Sequence, residues 1–283
     1  MHFFQDPDIK ILFFLRAANL QVYIPRIHLP TMNHDPQSSA PPELQSIEVP
    51  TDLADLAFAV MSVISDEVTV TMSQEGWYMR SISPAMEAMA VVKLAIPSPD
   101  LCFSVDIADM RKALSLTGPT STILVGDGSL RIQGNGFTRR LPVSPPEVKG
   151  KEPNLDLQTM FAIPASTLLS FFRSLDPKKQ DAMRISVTPD AVSFIAHDDT
   201  DMGLTLTLTE SQLPLLTTDS SPSSPTEGNY VVSRWQDIAK VLPRDTVPTI
   251  SMDTDFPAIL TLDLPPLSIR WLIAPRIMSE DDL

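Results

Sequence analysis

The segment LPVSPPEVKGKEPNLDL, residues Leu141–Leu157, divides the chain into two parts of similar size. It is polar, contains four prolines, and shows neither a helical nor a strand period of apolar residues. Because proline lacks an N–H donor and fixes φ, such a run stays extended and resists both helix and sheet interior. We therefore interpret residues 141–157 as a connector between two similar domains, with predicted boundaries at residues 45–140 and 158–278.

Composition limits the classes of function. Of the 283 residues, 43% are hydrophobic, which is typical of a globular chain long enough for two cores. The formal charge is -14, from 21 Lys and Arg against 35 Asp and Glu, so DNA binding would require a local basic face. Because Cys102 is the single cysteine, an intrachain disulfide and a cysteine-based zinc site are excluded. The chain contains no run of about 18 apolar residues, so no membrane span is predicted.

The two ends of the chain are predicted to lie outside the folded domains. Residues 1–44 are predicted to be a disordered or wrongly assigned extension: residues 1–31 are interpreted as an over-extended start, with Met32 as the natural first residue, and Thr31–Gln45 as a disordered lead-in. The apolar run Ile9–Leu15 contains a lysine and precedes no small-residue cleavage site, which argues against a signal peptide. Residues 279–283 are interpreted as an acidic tail.

The two parts repeat one order of predicted elements: a strand, a helix, a hairpin, a strand, a second helix and three strands. In the first part the helices are predicted to begin at Thr51, as an N-cap, and near Asp106. In the second part they are predicted to begin at Pro164 and, with Ser233 as an N-cap, near Trp235, with Thr217–Asn229 as a loop. Short helices spaced among antiparallel strands predict an α+β fold with the helices on one face of a sheet.

Three of the four predicted helices carry basic residues on their polar side, although the chain as a whole is acidic. The first helix has none and carries two aspartates in its first turn. Because charged residues are usual on exposed helix faces, this pattern alone favours solvated surfaces without a partner. The basic residues are Arg111 and Lys112, Arg173, and Arg234 and Lys240.

Two stretches make the order of elements recognisable. The C-terminal strand IRWLIAPRI, Ile269–Ile277, resembles the LAP[KR]I ending of the DNA sliding clamps, the proliferating cell nuclear antigen (PCNA) family of archaea and eukaryotes. The segment GWYMRSISPAMEAMAVVKL, Gly76–Leu94, is similar to a second family segment, with Ile82 and Ser83 where the family has Met and Asp. The resemblance covers residues 43–277.

The resemblance implies a fold and a function. Each subunit would have two similar clamp domains, and three subunits would close into a ring around duplex DNA, with helices lining the hole. Such a ring is a processivity factor: it tethers DNA polymerase and other replication and repair proteins, a loader opens it, and it has no catalytic activity, cofactor or metal of its own. The implied location is the cytoplasm, near the nucleoid, in an archaeon and the nucleus in a eukaryote.

Two alternatives remain at this point. One is a subunit of a heteromeric clamp, paralogous or checkpoint-type, which the lack of basic residues on the first helix favours. The other is a metal-dependent enzyme that uses the acidic segment HDDTD, residues 197–201, although a turn explains that segment better.

The resemblance also implies site residues. The DNA-facing positions fall on Lys112, Arg140, Arg173 and Lys240, with Arg111, Arg139, Lys178, Lys179 and Arg234 as further basic neighbours. The partner pocket maps to Ile82, Met86, Met89, Pro257, Leu272, Ala274 and Pro275, with Val148 or Leu155 of the connector as its lid. Methionines suit such a pocket because the thioether side chain adapts its shape to several partners. Ring closure would pair the edge strands Phe137–Val143 and Leu204–Leu208 of neighbouring subunits.

Overall fold

The computed structural model of the protein describes residues 45–126, 128–146, 152–197, 203–221 and 223–276, with the side chain of residue 197 excepted. The chain forms two compact units. The larger contains residues 44–147 and 157–283 and carries all the helices and strands described below. The smaller contains residues 1–43 and 148–156, and its described part, residues 152–156, has no helix or strand. The predicted N-terminal extension and acidic tail lie outside the described residues.

The N-terminal half of the larger unit, residues 45–142, consists of β1 (Gln45–Pro50), α1 (Thr51–Ser62), β2 (Glu67–Ser73), β3 (Gly76–Ile82), β4 (Ala88–Leu94), β5 (Leu101–Asp106), α2 (Ile107–Leu114), β6 (Thr120–Gly126), β7 (Ser129–Gly134) and β8 (Phe137–Pro142). The C-terminal half, residues 159–273, consists of β9 (Thr159–Ala162), α3 (Ala165–Arg173), β10 (Ala182–Val187), β11 (Ala191–His197), β12 (Gly203–Thr209), a 3₁₀ turn (Glu210–Gln212), β13 (Leu215–Thr217), β14 (Thr226–Val231), α4 (Val232–Val241), β15 (Thr249–Met252), β16 (Ala258–Leu264) and β17 (Leu267–Ile273).

Apart from β13 and the 3₁₀ turn, the two halves have the same order of elements. The sequence analysis missed the strand before the second helix of each half, β5 before α2 and β14 before α4, as well as the short β13. In β14 the inward positions are Thr226, Gly228 and Tyr230. A Cβ on Gly228 would lie 2.6 Å from the Tyr230 hydroxyl, so a glycine is needed to make room for that ring. Part of the predicted loop is therefore a strand.

The strands described here form three antiparallel sheets. Two have four strands, in the orders β1-β6-β7-β8 and β12-β11-β10-β14. The third has nine strands in the order β13-β9-β15-β16-β17-β4-β3-β2-β5, so it contains strands of both halves. The halves join at β17 and β4, where Trp271 lies opposite Ala90 and Leu272 lies opposite Met89. Backbone hydrogen bonds of a sheet therefore connect the two halves of the larger unit.

The helices pack beside one another in the order α2-α1-α4-α3, a row that we call the helix layer. The core lies between this layer and the sheets. It includes Phe58 of α1, Trp235 of α4, and Trp77 and Trp271 of the long sheet, all nearly inaccessible to solvent. The predicted α+β architecture, with helices on one face of antiparallel sheets, is confirmed. Among the described residues the longest helix has 12 residues, and no helix is long and apolar enough to cross a membrane.

Only one of the predicted helix starts uses a side-chain cap. Oδ1 of Asp106 accepts a hydrogen bond from the Asp109 N–H at 2.8 Å, which fits the predicted start of α2. Thr51 is instead the first residue of α1, and its hydroxyl lies 2.8 Å from that of Ser121. Ser233 lies inside α4, which begins one residue earlier. The predicted caps at Thr51 and Ser233 are therefore wrong.

Candidate functional site

Ion pairs hold several of the basic side chains assigned to the helices. Arg111 of α2 forms a two-point ion pair with Asp55 of α1, with Nε–Oδ1 at 2.8 Å and Nη2–Oδ2 at 3.2 Å. The hydrogen bond to this carboxylate raises the pKa of Arg111. Lys240 of α4 pairs with Asp237 on the same helix at 2.8 Å. The charges of Arg111 and Lys240 are therefore partly offset within the helix layer itself.

Strand β8 places its two arginines on opposite faces of the sheet, as alternation along a strand requires. Arg139 lies opposite the buried Ile132, and its Nη2 donates to Oδ1 of Asp109 on α2 at 2.6 Å. Arg140 points to the other face, where its Nε donates to the Ser129 hydroxyl at 2.9 Å. The placement of Arg140 with the helix layer is thereby corrected, and Arg139 takes that position.

Two of the cations assigned to the helices themselves are exposed without a carboxylate partner among the described residues. Lys112 lies on the open side of α2, and Arg173 is the last residue of α3. Neither forms an ion pair with a residue that the structure describes. Lys178 and Lys179 are also exposed, in the segment after α3. The positive charge of these four side chains is therefore available to an anion.

Arg234 has a different environment from the other assigned cations. It lies on α4, but its Nε donates to Oε2 of Glu87 at 2.7 Å, and Glu87 belongs to the loop between β3 and β4 in the other half. The side chain of Arg234 is only 27% exposed. The charge of Arg234 therefore forms an ion pair that connects the helix layer with the end of the long sheet.

Four apolar side chains lie side by side on the sheet face that points away from the helix layer. Met89 and Leu272 are only 7% and 3% exposed, yet neither belongs to the core cluster. The residues that follow them, Ala90 and Ile273, do belong to it, so Met89 and Leu272 lie on the opposite face of the sheet. The structure thus brings together three of the predicted pocket residues and adds Ile259, which only the strand pairing could have revealed. Across β3, β4, β17 and β16, the register aligns Ile82, Met89, Leu272 and Ile259.

Three short segments meet at one end of this face, and we call them the rim segments. They are the loop 83–87 between β3 and β4, the loop 253–257 between β15 and β16, and residues 274–276 after β17. Their proximity follows from the register, because the strand residues next to each segment lie opposite one another. These residues are Ala88, Ala258 and Ile273.

The rim segments carry the remaining described residues of the predicted pocket. Met86 is 56% exposed, Pro257 is buried, and Ala274 and Pro275 are half-buried. Phe256 is 51% exposed next to Pro257 and was missed by the sequence analysis. Together with the four aligned side chains, these five residues form what we call the apolar patch. Exposed aromatic and methionine side chains that lie together at the end of a sheet are characteristic of a surface that binds a partner.

The predicted lid cannot be placed on the apolar patch. Val148 lies outside the described residues, and Leu155 is a half-buried residue of the smaller unit. The assignment of either side chain as a lid stays a prediction.

Tyr230 of β14 anchors the rim segment 253–257. Its ring is fully buried and its hydroxyl donates to the carbonyl oxygen of Phe256 at 3.1 Å. Burial, with smaller contributions from Asp255 and Asp253, raises the pKa of Tyr230 well above its ordinary value of 10. The phenol therefore stays neutral in the folded chain at pH values that ionise it in the unfolded chain.

This pKa shift predicts a pH dependence of stability. Because the folded-state pKa of Tyr230 is the higher one, its contribution is complete below about pH 10 and is lost as the pH rises further. Urea unfolding at about pH 8 and pH 10.5 should show a smaller alkaline loss of stability for Tyr230→Phe than for the unmodified chain. Equal losses in the two proteins would contradict the assigned burial. At pH 8 the variant should lose about 1 kcal/mol, the value of one hydrogen bond.

Two edge strands match the predicted ring-closing elements. β8 is the last strand of one four-stranded sheet, and β12 is the first of the other. Phe137 of β8 is 52% exposed, and Leu204 and Leu206 of β12 are half-buried. No strand that the structure describes pairs with the outer edge of either, so both can accept a further strand, whereas the pairing itself stays a prediction.

The metal-site alternative finds no support in the described residues. Nowhere among them do three histidine, cysteine, aspartate or glutamate side chains cluster as ligands. Residues 198–201 of the acidic segment lie outside the described residues.

Comparison with known proteins agrees with this architecture. No family model matches the chain. The chain is 24% identical over 242 residues to the DNA polymerase sliding clamp of Methanothrix thermoacetophila, covering 81% of this chain and 96% of that one. It is 25% identical over 238 residues to the DNA polymerase sliding clamp of Methanococcoides burtonii, covering 78% and 93%.

Solved PCNA structures have the same fold over their whole length. PCNA of A. fulgidus, solved with the C-terminal region of FEN-1, superposes with a TM-score of 0.74 at 17% identity and covers 84% of this chain and 100% of its own. PCNA of Thermococcus kodakaraensis gives 0.72 at 20% identity, covering 82% and 99%. The PCNA2–PCNA3 complex of Sulfolobus tokodaii gives 0.68 at 16% identity, covering 82% and 99%.

Over most of its length the chain is thus similar in sequence to archaeal DNA polymerase sliding clamps, and it has the fold of the PCNA structures. The resemblance identified from two short sequence stretches is confirmed, together with the two-fold clamp architecture. The individual DNA-facing and partner-binding residues of this chain stay predictions, which the structure refines at Arg140, Arg234, Phe256 and Ile259.

Proposed function

We propose that this protein is a sliding clamp, a processivity factor that closes as a ring of three copies around duplex DNA and tethers DNA polymerase. One observation carries the proposal: each half has one edge strand, equivalent to a strand of the internal join, whose outer edge has no partner among the described strands. In the repeat, β8 corresponds to β17 and β12 corresponds to β4. Since β17 and β4 pair within the chain, β8 of one copy and β12 of the next are equipped to pair in the same way.

The internal join also gives the expected register between copies. The β7–β8 hairpin places Phe137 where the β16–β17 hairpin has Leu267, and Leu208 corresponds to Leu94, which lies opposite Leu267. We therefore expect Phe137 of one copy to face Leu208 of the next. By the same offset Leu141 would face Leu204, so that the apolar side chains of both edges would continue the core across the junction.

A heteromeric ring is the second candidate. The complex of PCNA2 and PCNA3 from Sulfolobus tokodaii, which is among the structural neighbours, contains two different subunits. The observation in this chain that favours a heteromer is the acidic character of α1, whose Asp55 forms an ion pair with Arg111. In a heteromer, other subunits would supply the basic residues that this helix lacks. The mass of the complex from its native source separates a homomer from a heteromer.

The helix layer would face DNA and bind it without reading its sequence. Lys112 and Arg173 are the cations on the helices that have no described carboxylate partner, so they should carry most of the phosphate contacts. Arg111 and Lys240 would contribute less because their charges are shared with aspartates. A small number of phosphate contacts gives weak, salt-sensitive binding, which suits a ring that slides.

Reversing both free charges should weaken binding to duplex DNA. For Lys112→Glu with Arg173→Glu we expect the slope of log affinity against log salt to fall by about 0.9 for each phosphate that the protein no longer neutralises. Fluorescence anisotropy with a labelled duplex over a salt series measures this slope. Lys93→Glu is the control for one charge reversal, because Lys93 is exposed on the sheet face turned away from the helix layer. If Lys93→Glu changed the slope by half as much as the double variant or more, the assignment of the helix layer would be wrong.

The apolar patch would receive short partner motifs with one aliphatic and two aromatic anchors. DNA polymerase, the clamp loader and other replication and repair proteins would dock there in turn. The A. fulgidus PCNA structure contains the C-terminal region of FEN-1, which is a precedent for such a partner in a relative. The clamp itself would carry out no reaction and use no cofactor. We place it at the nucleoid if its source is an archaeon and in the nucleus if its source is a eukaryote.

A topological experiment tests the ring function directly. The clamp is incubated with nicked circular duplex DNA, and the DNA is then separated from free protein by gel filtration at high salt. A ring that encircles DNA should stay with the circle and leave when one restriction cut makes it linear. Equal retention on circular and linear DNA would show surface binding instead and would overturn the proposal.

A further inference from the structure

Arg234 lies on a helix of the helix layer, but its ion-pair partner belongs to one of the rim segments of the apolar patch. Its carboxylate partner, Glu87, is the last residue of the rim segment 83–87. The carbonyl oxygen of Glu87 also accepts a hydrogen bond from the Ala274 N–H at 2.8 Å. One ion pair therefore connects α4 with two of the three rim segments.

The rim segment 274–276 has further attachments to the C-terminal half. The Arg276 N–H donates to the carbonyl oxygen of Asn229 on β14 at 2.7 Å, and Nη1 of Arg276 lies 2.6 Å from Oδ2 of Asp181. The third segment, 253–257, is held by Tyr230 of β14 through the carbonyl oxygen of Phe256. Hence α4 and β14 support all three rim segments, and Arg234 is the side chain that extends this support to the N-terminal half.

The rim segment 83–87 requires such support because its backbone is strained. Met86 has φ of +57°, in the left-handed region that residues with a Cβ rarely adopt. The Ser83 hydroxyl accepts hydrogen bonds from the N–H groups of Glu87 at 3.0 Å and Ala88 at 3.1 Å, which holds one side of the loop. A conformation of this kind persists only where surrounding contacts enforce it. The ion pair to Arg234 supplies an anchor on the side of the loop that faces α4.

We propose that the Arg234–Glu87 ion pair is a positioning contact that holds Met86 and Ala274 in the arrangement that receives the anchors of a partner peptide. The inference rests on the proposed partner function, and it assigns Arg234 to partner binding through Glu87 instead of to DNA contact. It gives the helix layer a direct mechanical link to the apolar patch, across the junction of the two halves. Arg234 itself does not touch the peptide.

The test compares single-charge variants of the full chain. We expect Arg234→Ala and Glu87→Ala each to weaken binding of a synthetic peptide with one aliphatic and two aromatic anchors by roughly fivefold, measured by titration calorimetry. Arg244→Ala is the matched control, because Arg244 is exposed just after the same helix and its loss changes the net charge equally. The control should bind the peptide as the unmodified chain does.

The double variant separates a positioning contact from two unrelated losses. If Arg234 acts through Glu87, then Arg234→Ala combined with Glu87→Ala should bind no more weakly than either single variant. The charge-swapped double variant, Arg234→Glu with Glu87→Arg, should recover part of the affinity. Additive losses, or peptide affinity in Arg234→Ala equal to that of the Arg244→Ala control, would overturn the proposal.

Amide hydrogen exchange provides a readout that needs no partner. The Ala274 N–H should exchange several-fold faster in Arg234→Ala than in Arg244→Ala, because its acceptor is the carbonyl oxygen of Glu87. Unchanged exchange at Ala274 would contradict the positioning role even if the peptide failed to bind. If the unmodified chain did not bind the peptide, the proposed partner function would be wrong. If the unmodified chain bound the peptide and Arg234→Ala bound it equally well, only this inference would be wrong.

Discussion

A chain with aspartate in place of Phe137 is expected to fold normally and to lose its self-association. Phe137 lies at the start of the edge strand β8 and is 52% exposed in the single chain, so its replacement leaves the core intact. In the proposed ring it would be buried against Leu208 of the next copy. Removing it forfeits about 2 kcal/mol of apolar burial at each junction, and the carboxylate adds a desolvation penalty.

The dissociation constant of each junction should therefore rise by roughly a hundredfold or more. Sedimentation equilibrium over a concentration series measures this change, and circular dichroism checks that the fold is retained. Val247→Asp is the matched control, because Val247 is 48% exposed and lies in the loop between α4 and β15, away from both edges. A Phe137→Asp variant that assembled as well as the control would contradict the ring-closing role of β8.

The second large effect is expected at Trp271, in the strand that joins the two halves. Trp271 of β17 is fully buried and lies between Ala90 of β4 and Leu260 of β16. Truncation of such a side chain to alanine leaves a cavity where the two halves share one core, and we expect a loss of about 3–5 kcal/mol. Since a domain is usually stable by about 5–15 kcal/mol, this variant should be close to unfolding at room temperature.

Phenylalanine at the same position should be tolerated much better. The Nε1 atom of Trp271 is buried and has no hydrogen-bond partner among the residues that the structure describes, so losing the indole N–H removes an unsatisfied donor. We expect Trp271→Phe to cost less than half as much as Trp271→Ala in urea unfolding. A loss below about 1 kcal/mol in the alanine variant would contradict the shared core, as would equal losses in the two variants.

Local sequence patterns were sufficient for most of the fold. The periods of apolar residues and the polar segment 141–157 led to the correct order of helices and hairpins. The missed strands β5 and β14 are short and follow proline- or serine-rich segments, and β14 presents Thr226, Gly228 and Tyr230 inward instead of aliphatic residues. Their strand structure depends on pairing with β2 and β10, which no local pattern encodes.

The site was only partly predictable because its character depends on contacts distant in the chain. Asp55 and Arg111 are 56 residues apart, and Glu87 and Arg234 are 147 residues apart. The sequence therefore could not show that these two arginines form ion pairs with carboxylates of the same chain. Arg140 was misplaced because a one-residue change of register moves a side chain to the other face of a sheet. Ile259 joined the apolar patch through strand pairing alone.

Whether three copies form a ring is decided first by the solution mass of the full chain, measured by light scattering over a dilution series. One chain has a mass of 31.2 kDa. We expect a mass near three chains that persists on dilution to the micromolar range and falls to one chain for Phe137→Asp. A mass of one chain at the highest concentration would contradict the proposed homotrimeric ring, since β8 and β12 would then be free in solution.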